Sequence, residues 1–115
     1  MGWADLIRAE IPDYSDRIGV YDMGDQHLDD DLLALFEETL AEATDTLVAA
    51  YGKGDDRGVA GAAHSIKGMG GMAGCPEISL LAESIERSIQ DGERDTLARL
   101  VELLQVCRRD GVDGR

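Results

Sequence analysis

The decapeptide Ala62-Ala63-His64-Ser65-Ile66-Lys67-Gly68-Met69-Gly70-Gly71 sets one imidazole among alanines and glycines, with a lysine three residues on. An α-helix turns about 100° per residue, so Lys67, Gly68 and Gly71 share a face with His64, as do Ala60 and Gly61 before it. Val59, Ala62, Ala63, Ile66, Met69, Gly70 and Ala73 recur on the opposite face at the spacing of a buried stripe, which predicts a helix with its imidazole outward. Each glycine inside a helix sacrifices about 1 kcal/mol relative to alanine. A helix that keeps several of them beside its histidine implies close approach by a partner's backbone or helix. Read instead as a loop, glycines 68, 70, 71 and 74 would put His64 near a helix end.

Outward from this stretch the periodicity is helical. Upstream, Leu28, Leu32, Leu35, Phe36, Thr39, Ala43, Leu47 and Ala50 predict a buried stripe on a helix from about Leu28 to Tyr51, with Asp29, Asp30 and Asp31 at its dipole-positive start. Gly52-Lys53-Gly54 stops it, and Asp55 or Asp56 can cap the helix carrying His64. Downstream, Gly74-Cys75-Pro76 is a break. Ile78, Leu81, Ile85 and Ile89 then mark a helix over Glu77–Gln90, ended by Asp91-Gly92. Leu97, Leu100, Val101, Leu104 and Cys107 mark the last, from about Arg94 to Arg108. Near the N-terminus, Trp3, Leu6, Ile7 and Ile11 form a short amphipathic helix closed by Pro12, whereas Tyr14 to Gly24 has no strong period. Four long helices joined by short turns predict an all-α fold, an antiparallel up-down-up-down four-helix bundle over 25–115, with 1–24 as an N-terminal segment whose short helix caps one end.

The chain has 115 residues, 24 acidic against 11 basic, and a net charge of -13, which opposes binding to nucleic acid or anionic lipid. No apolar run approaches the roughly 20 residues of a membrane span. Asp5, Arg8 and Glu10 interrupt the N-terminal apolar residues, which do not read as a signal peptide. The expectation is a single cytoplasmic domain with protein or small-molecule partners. Cys75 and Cys107 read as small reduced core residues. His27 lies among Asp25, Asp29, Asp30 and Asp31, where a solvated or capping role outweighs metal binding, since one histidine with flexible carboxylates is a poor transition-metal site.

Taken together, Ala63, His64, Ile66, Lys67 and Gly68, then Gly74, Ile78, Leu81, Ile85 and Glu86, resemble the core of the histidine-containing phosphotransfer domains. Upstream, Asp55, Val59 and the Leu33–Phe36 segment also look like that family, and the similarity spans most of 25–104. Met69 departs from the pattern, which more often has serine or another small residue there. The resemblance implies a phosphorelay carrier that takes a phosphoryl group on His64 from a receiver-domain aspartate or a histidine kinase and passes it to another receiver. Its implied partners are response-regulator receivers and a hybrid sensor kinase, and its implied state is a monomer.

The residues could support that role unaided. A neutral imidazole is a nucleophile, and a phosphorylated one carries about two negative charges that Lys67, one turn away, can pair. No nucleotide loop or acidic metal cluster accompanies His64, so no kinase or ATP site and no intrinsic cofactor or metal is expected; Mg²⁺ and the carboxylates for in-line transfer would come from the receiver. Ala60, Gly61, Gly68 and Gly71 are the candidate docking residues around His64 and Lys67. The rival reading is a non-catalytic inhibitory or scaffold module of the same fold, although such a module has no need of both His64 and Lys67.

Overall fold

The computed structural model describes residues 1–22 and 29–115; His27 and Leu28 therefore lie outside the described residues. Among those described, the regular structure is helical and no strand occurs, as the composition and periodicity predict. Six α-helices follow in order: α1 (Trp3–Glu10), α2 (Tyr14–Arg17), α3 (Asp30–Gly52), α4 (Asp56–Gly70), α5 (Pro76–Asp91) and α6 (Arg94–Asp110). Short 3₁₀ turns occupy Ile18–Val20, Gly71–Ala73 and Val112–Gly114. None of the helices is long and apolar enough to cross a membrane.

Local chemistry sets the ends. Asp29 caps α3, its carboxylate accepting from the Leu32 N–H at 2.8 Å, and Asp55 caps α4 by accepting from Gly58 N–H at 3.0 Å. Pro76 occupies the first turn of α5, where its missing N–H costs nothing, and Gly92 ends that helix at φ 68°, a conformation glycine adopts without strain. Arg94 at the start of α6 pairs with Asp56 at the start of α4, 2.9 Å apart.

Contacts join α3 to α4, α4 to α5, α5 to α6 and α6 to α3. The core they enclose holds Phe36, Leu40 and Leu47; Val59, Ala63 and Ile66; Ile78, Leu81 and Ile85; and Leu97, Leu104 and Cys107. The stripe expected on α3 is corrected in one respect. Leu32 and Leu35 are 51% and 57% exposed and Thr39 is also exposed, while Phe36, Leu40, Thr44 and Leu47 make the buried line. The helix buries one line at helical spacing, and that line starts at Phe36, which leaves Leu32 and Leu35 ahead of it in solvent.

Helix α5 is buried nearly all round, including Ser79, Leu80, Ser84 and Ser88. Ser84 and Ser88 each donate to the carbonyl four residues back, Leu80 and Ser84, at 2.9 Å, which satisfies hydroxyls that would otherwise be stranded. The outer cover of α5 is the N-terminal segment. At the α6 end, the indole N–H of Trp3 donates to the Gly111 carbonyl at 2.7 Å and the Ala4 N–H to the Arg115 carbonyl at 3.3 Å. Glu10, at the other end of α1, pairs with Arg99 at 2.6 Å. The short helix thus runs along the α5–α6 flank, where an end cap was expected. Beyond it, Arg17 donates to the carboxylate of Glu83 and, at 3.0 Å, to the Ser84 hydroxyl, which carries the chain back along α5.

Candidate functional site

His64 stands midway along α4, its side chain 73% exposed and its Nδ1 3.9 Å from Oε2 of Glu86 on α5. Lys67, one turn later, brings Nζ to 3.0 Å from Oε1 of the same carboxylate. The Lys67 contact is close but skewed: Oε1 is shut off from solvent without a well-aligned hydrogen-bond donor. Charge attraction needs only the distance, so the two groups form an ion pair. Contact with Glu86 pushes the Lys67 ammonium above the ordinary lysine value, with burial opposing it. Lys67 therefore stays charged throughout the physiological range.

The predicted helix face is largely as expected. At Gly61 and Gly68 a β-carbon would meet no atom within 4 Å, so both present bare backbone to the outside. Ala60 is half-buried. Gly71 does not belong to this surface: it is buried in the 3₁₀ turn after α4. The helix ends at Gly70, so the face defined by a continuous 3.6-residue turn does not extend to 71.

The glycines serve two distinct ends. A β-carbon on Gly70 would lie 2.5 Å from the Ser79 hydroxyl oxygen and 2.7 Å from the Ser79 amide nitrogen, so this glycine admits α5. Ser79 uses that proximity: its hydroxyl accepts from Gly71 N–H and donates to the Lys67 carbonyl, both at 2.8 Å. Fully buried, it fastens the last turn of α4, and with it the Lys67 backbone, to α5.

Sequence reasoning missed three contributors. Glu86 entered only as a position matched by the resemblance, although it touches both His64 and Lys67; its place on the edge of the Ile78, Leu81, Ile85 stripe was the available signal. Ser79 lies next to that stripe and gave no signal. Tyr21 lay in a segment without periodicity. It packs half-buried against the core, its N–H bonded to the Ile18 carbonyl at 3.0 Å. Its phenol is held above the ordinary tyrosine value by burial first and then by Glu83, with Lys67 and Arg17 opposing and Glu86 adding. The residue is thus within electrostatic reach of the Lys67–Glu86 pair.

The arrangement offers a solvent-facing imidazole, a cation one turn away, a carboxylate beside Nδ1 and an unobstructed helix surface. The Hpt domain family model matches residues 31–110, well over half of the chain. No curated protein and no solved structure matches it.

Proposed function

The chain belongs to the Hpt domain family, and we propose on that premise that it is a phosphorelay carrier in which His64 takes a phosphoryl group from a receiver-domain aspartate or a histidine kinase and yields it to another receiver. The observation that carries this reading is the exposed His64 imidazole with Glu86 at Nδ1 and Lys67 one turn away. A carboxylate beside Nδ1 favours the tautomer with its proton there, leaving the lone pair on the outward Nε2. In the forward step that lone pair attacks phosphorus, the P–N bond forms as the P–O bond to the aspartate breaks, and the aspartate leaves as carboxylate. The ring becomes positively charged as the bond forms, and Glu86 faces that charge. Lys67 then pairs with the phosphoryl oxygens.

The receiver supplies Mg²⁺ and the acidic residues around its own aspartate, and it approaches across Ala60, Gly61 and Gly68. The carrier works as a cytoplasmic monomer on an antiparallel up-down-up-down bundle of α3, α4, α5 and α6, with the segment 1–22 docked on it. Support for the scaffold comes from the short turns and from the ring of contacts linking α3, α4, α5 and α6.

The test is transfer from a panel of radiolabelled, Mg²⁺-supported phospho-receivers. Acid-labile, alkali-stable label on wild type but not on His64→Gln, with unchanged helical content, is the expected result. Equal labelling of the variant refutes the assignment of His64; binding without labelling of wild type replaces the carrier with a scaffold or inhibitory module.

A further inference from the structure

Tyr21 lies outside the matched region 31–110, in the segment that the phosphoacceptor reading leaves without a task. Its placement follows from two anchors. Arg17 binds Glu83 and Ser84 on α5, and Ile18 and Tyr21 pack against the core one turn further on. Glu83 and Glu86 are three residues apart on α5, and so neighbours on one helix face. The Arg17 anchor on Glu83 holds the turn that carries Tyr21 against α5, where the phenol feels the charges of Glu83, Lys67 and Glu86.

Glu86 needs such a neighbour. Its side chain is only 20% exposed, and its Oε1 has no well-aligned donor even while Lys67 is near. When Lys67 turns to a phosphoryl group on His64, the Glu86 carboxylate loses the ammonium at Oε1, keeps only the imidazole 3.9 Å from Oε2, and faces a new dianion. A largely shielded carboxylate without a donor is costly, and a phenol O–H can offset that cost without adding charge.

We propose that Tyr21 is a positioning residue of the phosphorylated state, its hydroxyl donating to Glu86 when Lys67 transfers to the phosphoryl oxygens. This rests on the phosphoacceptor reading of His64. It gives the N-terminal segment a part in the energetics of phosphoryl storage, through a proton donor handed to the carboxylate that Lys67 vacates.

The experiment is a double-mutant cycle of Tyr21→Phe and Glu86→Gln, read as the equilibrium ratio of label on His64 to label on the donor receiver, with the full chain and a thermal melt of each variant. A hydrogen bond to a charged group predicts that Tyr21→Phe lowers that ratio by about tenfold. In the Glu86→Gln background, where no buried charge remains to be held, the same substitution should change it by less than about twofold. An unchanged ratio in Tyr21→Phe overturns the proposal. An equal loss in both backgrounds also overturns it, because the phenol then acts through packing or the docked receiver. Failure of the wild type to take label on His64 from any donor removes the underlying phosphoacceptor reading, an outcome distinct from a labelled wild type with an indifferent Tyr21.

Discussion

Replacing Gly61 and Gly68 together by alanine should make the protein more stable and a worse carrier. Each lies inside α4 with nothing within 4 Å of a β-carbon, so neither is required by the packing. A glycine-to-alanine change in such a place is worth about 0.5–1 kcal/mol through helix propensity. The two positions are two helical turns apart, about 10 Å along the axis, so the gains should add to about 1–2 kcal/mol. For 115 residues, an unfolding entropy of about 2.1 cal/mol/K per residue converts this to a rise of about 4–8 °C in Tm. Gly70→Ala is the internal control: its methyl would press on the Ser79 backbone nitrogen at 2.7 Å, and overpacking of that kind costs about 1–3 kcal/mol. Calorimetry gives the melts, and stopped transfer from a phospho-receiver gives the rate. Two methyls under the approaching partner should slow transfer by about ten- to a hundredfold through misplacement of Nε2. A double variant that melts no higher than wild type refutes the claim that the fold does not use these glycines. One that melts higher and transfers at the wild-type rate refutes the claim that the partner does.

Ser79→Ala removes both the acceptor for Gly71 N–H and the donor to the Lys67 carbonyl in a buried place, and a loss of about 1–3 kcal/mol in urea unfolding is expected; no loss would show that α4 is not fastened there. Lys67→Ala should shorten the lifetime of phospho-His64, followed by decay of label after the receiver is removed, while equal lifetimes would deny Lys67 its pairing with the phosphoryl group. Burial pushes the thiols of Cys75 and Cys107 up to about 11 and about 12 from an ordinary 9.0. The folded state thus retains protons that the unfolded chain releases, so their contribution is fully present below pH 9 and is lost as pH rises through about 11 to 12. Native thiol labelling at pH 8 should proceed at the unfolding rate; labelling as fast as a small free thiol would contradict the burial of both.

What could be read from the sequence was what depends on neighbours along a helix. Asp29, Asp55, Pro76 and Gly92 announce their turns because capping and backbone conformation are local. The stripe on α5 places the hydrophobic core, and the spacing of Gly61, His64 and Gly68 gives the exposed face. What escaped is set by contacts between distant segments. Nothing near Arg17 in the sequence designates Glu83 as its partner, and without that pair Tyr21 is an isolated aromatic in an aperiodic stretch. Gly70 and Gly68 look alike in the sequence; only the approach of Ser79 divides a glycine that admits a neighbouring helix from one that leaves a surface bare. On α3 the error was one of phase. Leu32 and Leu35 suited the stripe in hydrophobicity, yet the buried line begins at Phe36.

Trp3 is the sole tryptophan, and its indole hydrogen bond to Gly111 spans 108 positions of the chain. Closing a loop of that length directly costs about 4 kcal/mol of chain entropy, against roughly 1.4 kcal/mol for the five-residue closure between Ala50 and Asp55. The order of events follows from that difference: hairpins of adjacent helices form first and shorten the path, and only then do residues 3 and 111 come within reach. Indole emission in this protein therefore times the final zipping of distant strands of chain, and a refolding trace recorded at that wavelength trails the growth of helix it would ordinarily be used to follow.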